Sequence, residues 1–371
     1  MPANRIFYAS QAVGLRHNQG SSKFMRIHGL QSVGVNTNFN LDAAYQLGNL
    51  DLYANIEGTP EVEVTLEKLL DGRPLILDMA TATGLGGGTV DTSGVFAGQT
   101  NKTLVARSSA RIDLLISVAD DSIGFVSTSG APNGVPLAQC LISGAYLSQI
   151  SYKIPVDGNA SESATIVGNT KIWTSGAGTY TLSPVQTDPL FYVGNAASSG
   201  VDFGIARRQH VDVLNCLWPK QIPGVSNAGA VTNDTVSGFT AHFQNVNISC
   251  QLGRESLMEL GRKMPYFRFV KFPVEVTSEF EVLLGGAANQ NGDFISATEA
   301  GVDGKGSNLR YETIKIDLKD ASGTITRFDL GTKNMLTTVN YQGGGVDGSN
   351  ASATFSYRNF NNLTVSGSTT V

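Results

Sequence analysis

Charge is scarce in this chain. Asp, Glu, Lys and Arg make up 15% of its 371 residues, against about 25% for soluble proteins at large. Apolar residues reach 41%, so the chain is not disordered, because disordered chains are charge-rich and apolar-poor. The charge that is present sums to −5. A chain without a basic excess has no general attraction for nucleic acid. Cysteine is nearly missing: Cys140, Cys216 and Cys250 are an odd, scattered set. That pattern predicts buried, reduced thiols made in a cytoplasm rather than a disulfide framework. No run of 18 apolar residues occurs, which excludes a helical membrane span. The opening MPANRIFYAS lacks a basic segment followed by an apolar run, so no signal peptide is expected.

Reactive groups are equally sparse. The four histidines, His17, His28, His210 and His242, form no HExxH or other close ligand pair, and no CxxC occurs. No metal site and no cofactor are expected. The glycine run from Gly84 to Thr89 lacks the Gly-Lys-Ser/Thr ending of a phosphate loop, and Gly304-Lys305-Gly306 fails likewise. No Gly-x-Ser-x-Gly elbow or Cys/His dyad is readable, so no catalytic residue is assigned and an enzyme is not expected. Asp157-Gly158 and Asp347-Gly348 lie between apolar runs and read as hairpin turns rather than calcium loops. The basic, aromatic stretch RKMPYFRFVKF (262–272) could stack bases. The segment NLDLYANIEGT earlier in the chain occupies the same place in a repeat and carries neither feature, so a strand or loop packed on a neighbouring subunit is the better reading.

What is abundant is glycine, 42 residues, and sequence written twice. QSVGVNTNFNLDAAYQLGNLDLYANIEGTPEVEVTLE (31–67) returns as QNVNISCQLGRESLMELGRKMPYFRFVKFPVEVTSE (244–279). Gln31 matches Gln244, Val33 matches Val246, and Leu47-Gly48 matches Leu260-Gly261. Tyr53 matches Tyr266 and Pro60 matches Pro273. After a one-residue slip, Val62–Thr65 matches Val274–Thr277. A weaker block follows in the same order: YLSQISYKIPVDGNASESATI from Tyr146 parallels MLTTVNYQGGGVDGSNASATF from Met335. Two blocks in one order imply a duplicated unit. The linker is expected at Gly194–Gly200, and the domains at 1–200 and 201–371.

Each unit is expected to be mainly β, a sandwich or curved sheet. A Gln-x-Val-x-Val/Ile strand opens it. A short helix is expected near Leu41–Leu47 and Arg254–Leu260, ended by Gly48 or Gly261. Long Gly-rich loops are expected over 84–101 and 285–309. The most regular element is an acid strand. Glu61, Glu63, Thr65 and Glu67 alternate with Val62, Val64 and Leu66. Glu275, Thr277, Glu279 and Glu281 alternate with Val276, Phe280 and Val282. Period-two alternation puts the apolar set on a core and the acids on a wet face.

These segments, SCQLGRESLMELGRKMPYFRFVKFPVEVTSEFE above all, resemble the major tail tube proteins of tailed bacteriophages. The resemblance covers both repeat blocks and leaves the loops unplaced. It implies two tandem tail-tube-like β-sandwich domains, each with one short flanking α-helix and long Gly-rich loops. It implies self-assembly into stacked rings that form a hollow tube for DNA delivery. It also implies partners in the tail: tape measure, tail terminator and sheath. Phage DNA would pass without specific binding. The chain would be made in the host bacterial cytoplasm and end in the virion tail. Two units per chain turn a ring of six units into a trimer with pseudo-six-fold symmetry. The eight acid-face residues named above would line the lumen. Other readings are a different virion ring or decoration protein, or a carbohydrate-binding β-sandwich that uses Trp173, Trp218 and tyrosines.

Overall fold

The computed structural model describes residues 6, 8–17, 23–27, 29–70, 76–77, 104, 111–119, 136–175, 180–182, 205–213, 216–222, 225, 231–232, 235–236, 241–283, 309–319, 325–343 and 350–368. The expected linker at 194–200 lies outside the described residues. So do the expected glycine loops, apart from Leu309, and the turn at Asp347-Gly348.

The molecule is mainly β, with large antiparallel sheets. The strands before residue 120 are β1 Gln11–His17, β2 Lys23–Arg26, β3 Leu30–Asn38, β4 Leu41–Tyr45, β5 Leu52–Glu57, β6 Glu61–Leu69 and β7 Ile112–Val118. Next come β8 Ala138–Pro155, β9 Ser161–Gly168, β10 Thr170–Ser175 and β11 Thr181–Leu182. The remainder are β12 Val231–Thr232, β13 Thr235–Val236, β14 His242–Gln251, β15 Arg254–Leu257, β16 Phe267–Val270, β17 Glu275–Leu283, β18 Lys315–Lys319, β19 Ile325–Asp329, β20 Met335–Gln342, β21 Ser352–Phe360 and β22 Thr364–Ser368.

One pathway through the sheet matters most. Strands β3, β6, β9, β8, β14, β17, β21 and β20 lie side by side in that order, every neighbouring pair antiparallel. One face of this eight-stranded sheet is apolar and buried: Val62, Val64, Leu66, Ile150, Tyr152, Ile166, Val246, Ile248, Val276, Phe280 and Phe355 all point there. A second layer covers it. In the first part of the chain it is β2-β1-β7 with the N-terminal half of β8 and β10; in the later part it is β18-β19-β22. The 18-residue β8 serves both layers. Gly144 sits at φ 66 and a bulge follows between Leu147 and Gln149, so the strand can turn from β7 and β10 towards β9 and β14.

The short helices expected near Leu41–Leu47 and Arg254–Leu260 are not there. Both places hold β-hairpins, β4–β5 and β15–β16. Gly48 (φ 83) and Gly261 (φ 86) do adopt the left-handed conformation. They use it in hairpin turns rather than in helix caps. A Leu-Gly ending serves either purpose, and pairing with a partner strand settles which. The turn read at Asp157-Gly158 joins β8 to β9, with Gly158 at φ 95.

The core is aromatic beneath the later half of the sheet. Trp218 stacks on Phe243 at 4.2 Å, and Phe280 meets Trp218, Phe243 and Tyr357 edge-on at 6.0, 6.1 and 5.8 Å. Phe280 is completely buried. Phe280→Ala is expected to destabilise the chain by about 3–5 kcal/mol, through lost transfer energy and the cavity left behind. Chemical denaturation reads it; a loss below about 1 kcal/mol would mean this cluster is not packed as described.

Candidate assembly interface

Strand parity fixes what the outer face of the long sheet presents. On β6, Glu63, Thr65 and Glu67 are exposed and Glu61 is partly so, while Val62, Val64 and Leu66 are buried. On β17, Glu275 and Glu279 are exposed and Thr277 and Glu281 are half-buried, while Val276, Phe280 and Val282 are buried. All eight residues singled out in the sequence therefore lie on one face. Most of their cross-strand neighbours are amides and hydroxyls: Ser32, Asn36 and Asn38 on β3, Ser163 and Thr165 on β9, and Asn245, Asn247 and Ser249 on β14; Val167 opposite Glu63 and the exposed Phe360 opposite Glu275 are the apolar ones. The cations on this face of the sheet are Lys153 and Arg358, the latter 3.7 Å from Glu275. Six glutamates less two cations leave −4 on the strands of this face, and Arg268 of β16, 3.0 Å from Glu61, offsets one charge more from the side.

The two halves of the sheet correspond strand by strand. In β3–β6 the register breaks at Gln31, and in β14–β17 it breaks at Gln244. In β8–β9 it breaks at Ser148, and in β20–β21 at Thr337. The hairpins agree as well: Leu41 faces Glu57 as Arg254 faces Val270, and Asn55 faces Ala43 as Arg268 faces Ser256. These ladders align Val62 with Val276 and Leu66 with Phe280, two residues away from the match of Val62–Thr65 with Val274–Thr277. A two-residue slip conserves the face, so Glu61, Glu63, Thr65 and Glu67 still align as a set with Glu275, Thr277, Glu279 and Glu281.

Where the halves meet, the last strand of one, β8, pairs with the first strand of the other, β14, from Gln149 opposite Gln251 to Pro155 opposite Asn245. Beyond the ladder, Leu252 N donates to Ser148 O at 2.8 Å and Val156 N to Gln244 O at 2.8 Å. Side chains continue the seam. Arg254 Nε donates to Leu147 O (2.8 Å), and its guanidinium lies 5.2 Å from the Tyr146 ring centre. Burial pushes the Arg254 guanidinium down to about 10. Lys263 Nζ reaches Glu57 Oε2 at 3.0 Å, and Thr59 Oγ1 donates to Lys263 O at 2.8 Å. Arg268 binds Glu61 at 3.0 Å and Asn169 at 3.2 Å.

The outer strands, β3 and β20, have no further partner strand among the described residues. Each exposes apolar groups whose counterparts at the internal seam are buried. Val35 on β3 is 39% exposed, whereas Ile248 on β14 is 0%. Tyr341 on β20 is 59% exposed, whereas Tyr152 on β8 is 1%. Phe39 against Leu252, and Val339 against Ile150, repeat the contrast. Sequence reading missed these residues. Their signal was available, since Val35 aligns with Ile248 and Tyr341 with Tyr152, but nothing in a sequence says which copy has a neighbour.

The other predicted features fall elsewhere. Phe267–Val270, within the basic aromatic stretch, is β16, with Arg268 buried in the seam. Trp218 is core, and Trp173 is exposed on β10. Cys140, Cys216 and Cys250 are buried and unlinked, and burial pushes the Cys216 and Cys250 thiols up to about 12. Among the described residues no group of three His, Cys, Asp or Glu could hold a metal ion, and no helix is long and apolar enough to cross a membrane.

No protein-family model matches this chain, and no curated protein matches it. Solved structures similar to part of it include a chain of the anti-feeding prophage baseplate, 10% identical over 47% of this chain and 97% of that one, with a TM-score of 0.31. Another is a chain of the sheath–tube complex of an extracellular contractile injection system in its extended state, 16% identical over 46% and 93%, with a TM-score of 0.29. A third comes from the tail of an empty GTA particle, 14% identical over 40% and 96%, with a TM-score of 0.23.

Proposed function

We propose that this chain is a structural component of a phage tail or a related injection machine, a duplicated tube subunit. Three copies close into a ring with pseudo-six-fold symmetry, and rings stack into a hollow tube. The carrying observation is the contrast between the seam within the chain and the two outer edges. The molecule already contains one head-to-tail joint, β8 to β14, and its outer strands are the counterparts of the strands in that joint. Repeating the joint sets β20 of one chain against β3 of the next. Three chains of eight strands then make a 24-stranded closed barrel, which removes both sticky edges. Two tandem units, about 1–200 and 201–371, suit this arrangement, and closed rotational symmetry suits a self-complementary repeat of one heterologous contact.

In the barrel the acid face lines the lumen, with Glu61, Glu63, Thr65, Glu67, Glu275, Thr277, Glu279 and Glu281 on the wall. The net negative charge of each chain's face repels phosphate, and amides and hydroxyls make up most of the remaining wall. At a Debye length of about 8 Å the repulsion reaches into a narrow channel. DNA passes and does not stay. Stacking neighbours, a tape measure, a terminator and a sheath are the partners such a tube requires, and the virion tail is its place. Electron microscopy of the purified chain tests this reading. Hollow tubes support it, while isolated rings that never stack favour a terminator or other ring component. A dispersed monomer at high concentration contradicts both.

A further inference from the structure

The internal seam is a template for the seam between chains, and side chains at matching positions can be compared. On the later-unit side the internal seam uses three cations. Arg254, Lys263 and Arg268 correspond, through the identical registers of the two hairpins, to Leu41, Leu50 and Asn55. Every cation is replaced by a neutral residue, two of them leucines that stand exposed on the isolated chain. On the opposite side the internal seam offers Glu57, Thr59, Glu61 and Asn169 to those cations. The counterparts of Glu57, Thr59 and Asn169 are Val270, Phe272 and Phe360, and both phenylalanines are exposed; the counterpart of Glu61 is Glu275, which stays charged and lies 3.7 Å from Arg358 of its own unit. The change is coordinated. Lys263 against Glu57 and Thr59 becomes Leu50 against Val270 and Phe272.

We propose that the seam between chains is apolar where the seam within the chain is ionic, and that its occupant is the β20 end of a second copy of this chain. It presupposes the β20-to-β3 junction proposed above. The two seams then carry different codes. A first unit cannot take another first unit without facing leucine to glutamate. Alternation of the two units around the ring is enforced, because a like pairing would set Lys263 against Val270 or Leu50 against Glu57.

The registers give the junction in residue detail. Ser151 lies opposite Ser249 at the internal seam, and the corresponding pair between chains is Asn340 opposite Asn36. Both project from the polar face. In the full chain, Asn36→Cys with Asn340→Cys is expected to form an interchain disulfide on mild oxidation, since directly opposed strand positions fall within the Cα separations that a disulfide needs. Leu50→Glu and Phe272→Glu, both at exposed positions, are each expected to weaken association about ten- to a hundredfold with unchanged circular dichroism. Combining Leu50→Lys with Phe272→Glu is expected to restore it by writing the internal code into the outer seam. Wild-type association should hold or strengthen from about 0.05 to about 1 M salt, as burial of apolar surface does and exposed ion pairs do not. A disulfide that forms alongside normal association of Leu50→Glu and Phe272→Glu would overturn the apolar seam and leave the ring intact. Failure of the disulfide in wild-type conditions would overturn the junction itself, and this proposal with it.

Discussion

Val35→Pro leaves the single chain folded and abolishes its self-association. At the internal seam Leu252 N bonds to Ser148 O and Gln244 O accepts from Val156 N, so the even-numbered residues of β14 turn their amides to β8. Their counterparts on β3 are Val33, Val35, Thr37 and Phe39, which turn theirs to the outer edge. Proline at position 35 removes one of those donors and sets its ring in the path of an incoming strand, without touching the ladder to β6. It also deletes an exposed apolar group that the junction would bury. Sedimentation should show the loss of all species larger than the monomer, with a melting temperature close to that of the wild type. The same change at Ile248, the counterpart of Val35, is expected to prevent folding, because there the partner strand is part of the same chain. If Val35→Pro assembles normally, β3 is not the joining edge.

Reversing the acid face is expected to turn a passive channel into a DNA trap. Glu63, Glu67, Glu275 and Glu279 all lie on the exposed face, so substitution by lysine costs little stability, within about 0.5 kcal/mol each. Each exchange adds two charges. Four exchanges take the face from −4 to +4 per chain. Wild-type assemblies should retain no short duplex DNA. The reversed ones should retain it with an affinity that falls on the order of a thousandfold between about 50 and 200 mM salt, if about six phosphates are contacted. Gel shift of assembled protein across a salt series reads this directly. Equal, weak retention by both forms would mean the glutamates do not face the channel.

The two faces of the acid strands were legible in the sequence, for a physical reason. Period-two alternation around Glu61–Glu67 and Glu275–Glu281 fixes two faces with no reference to the rest of the fold, and burial of Val62, Val64, Val276 and Phe280 follows from it. The turns at Gly48 and Gly261 were also visible, because a Leu-Gly pair marks each and both glycines take the left-handed conformation. The hairpins were misread as helices. LDAAYQLG offers Ala and Leu, good helix formers, and ends in glycine, while its strand identity depends on Leu52–Glu57 lying alongside. The ladder register shifts the acid strands by two, a change that parity cannot detect. The bend that lets β8 serve two layers, and the neighbour relation between β8 and β14, are properties of the folded chain. So are the exposed edges, which become visible only when matched with their buried counterparts.

The mass of the smallest closed ring bears most directly on the whole scheme. Mass photometry of dilute, unstacked assemblies should give three chains, three times 39.2 kDa or about 118 kDa. A ring of six chains, about 235 kDa, would contradict it, because each chain would then contribute one unit to the barrel instead of two.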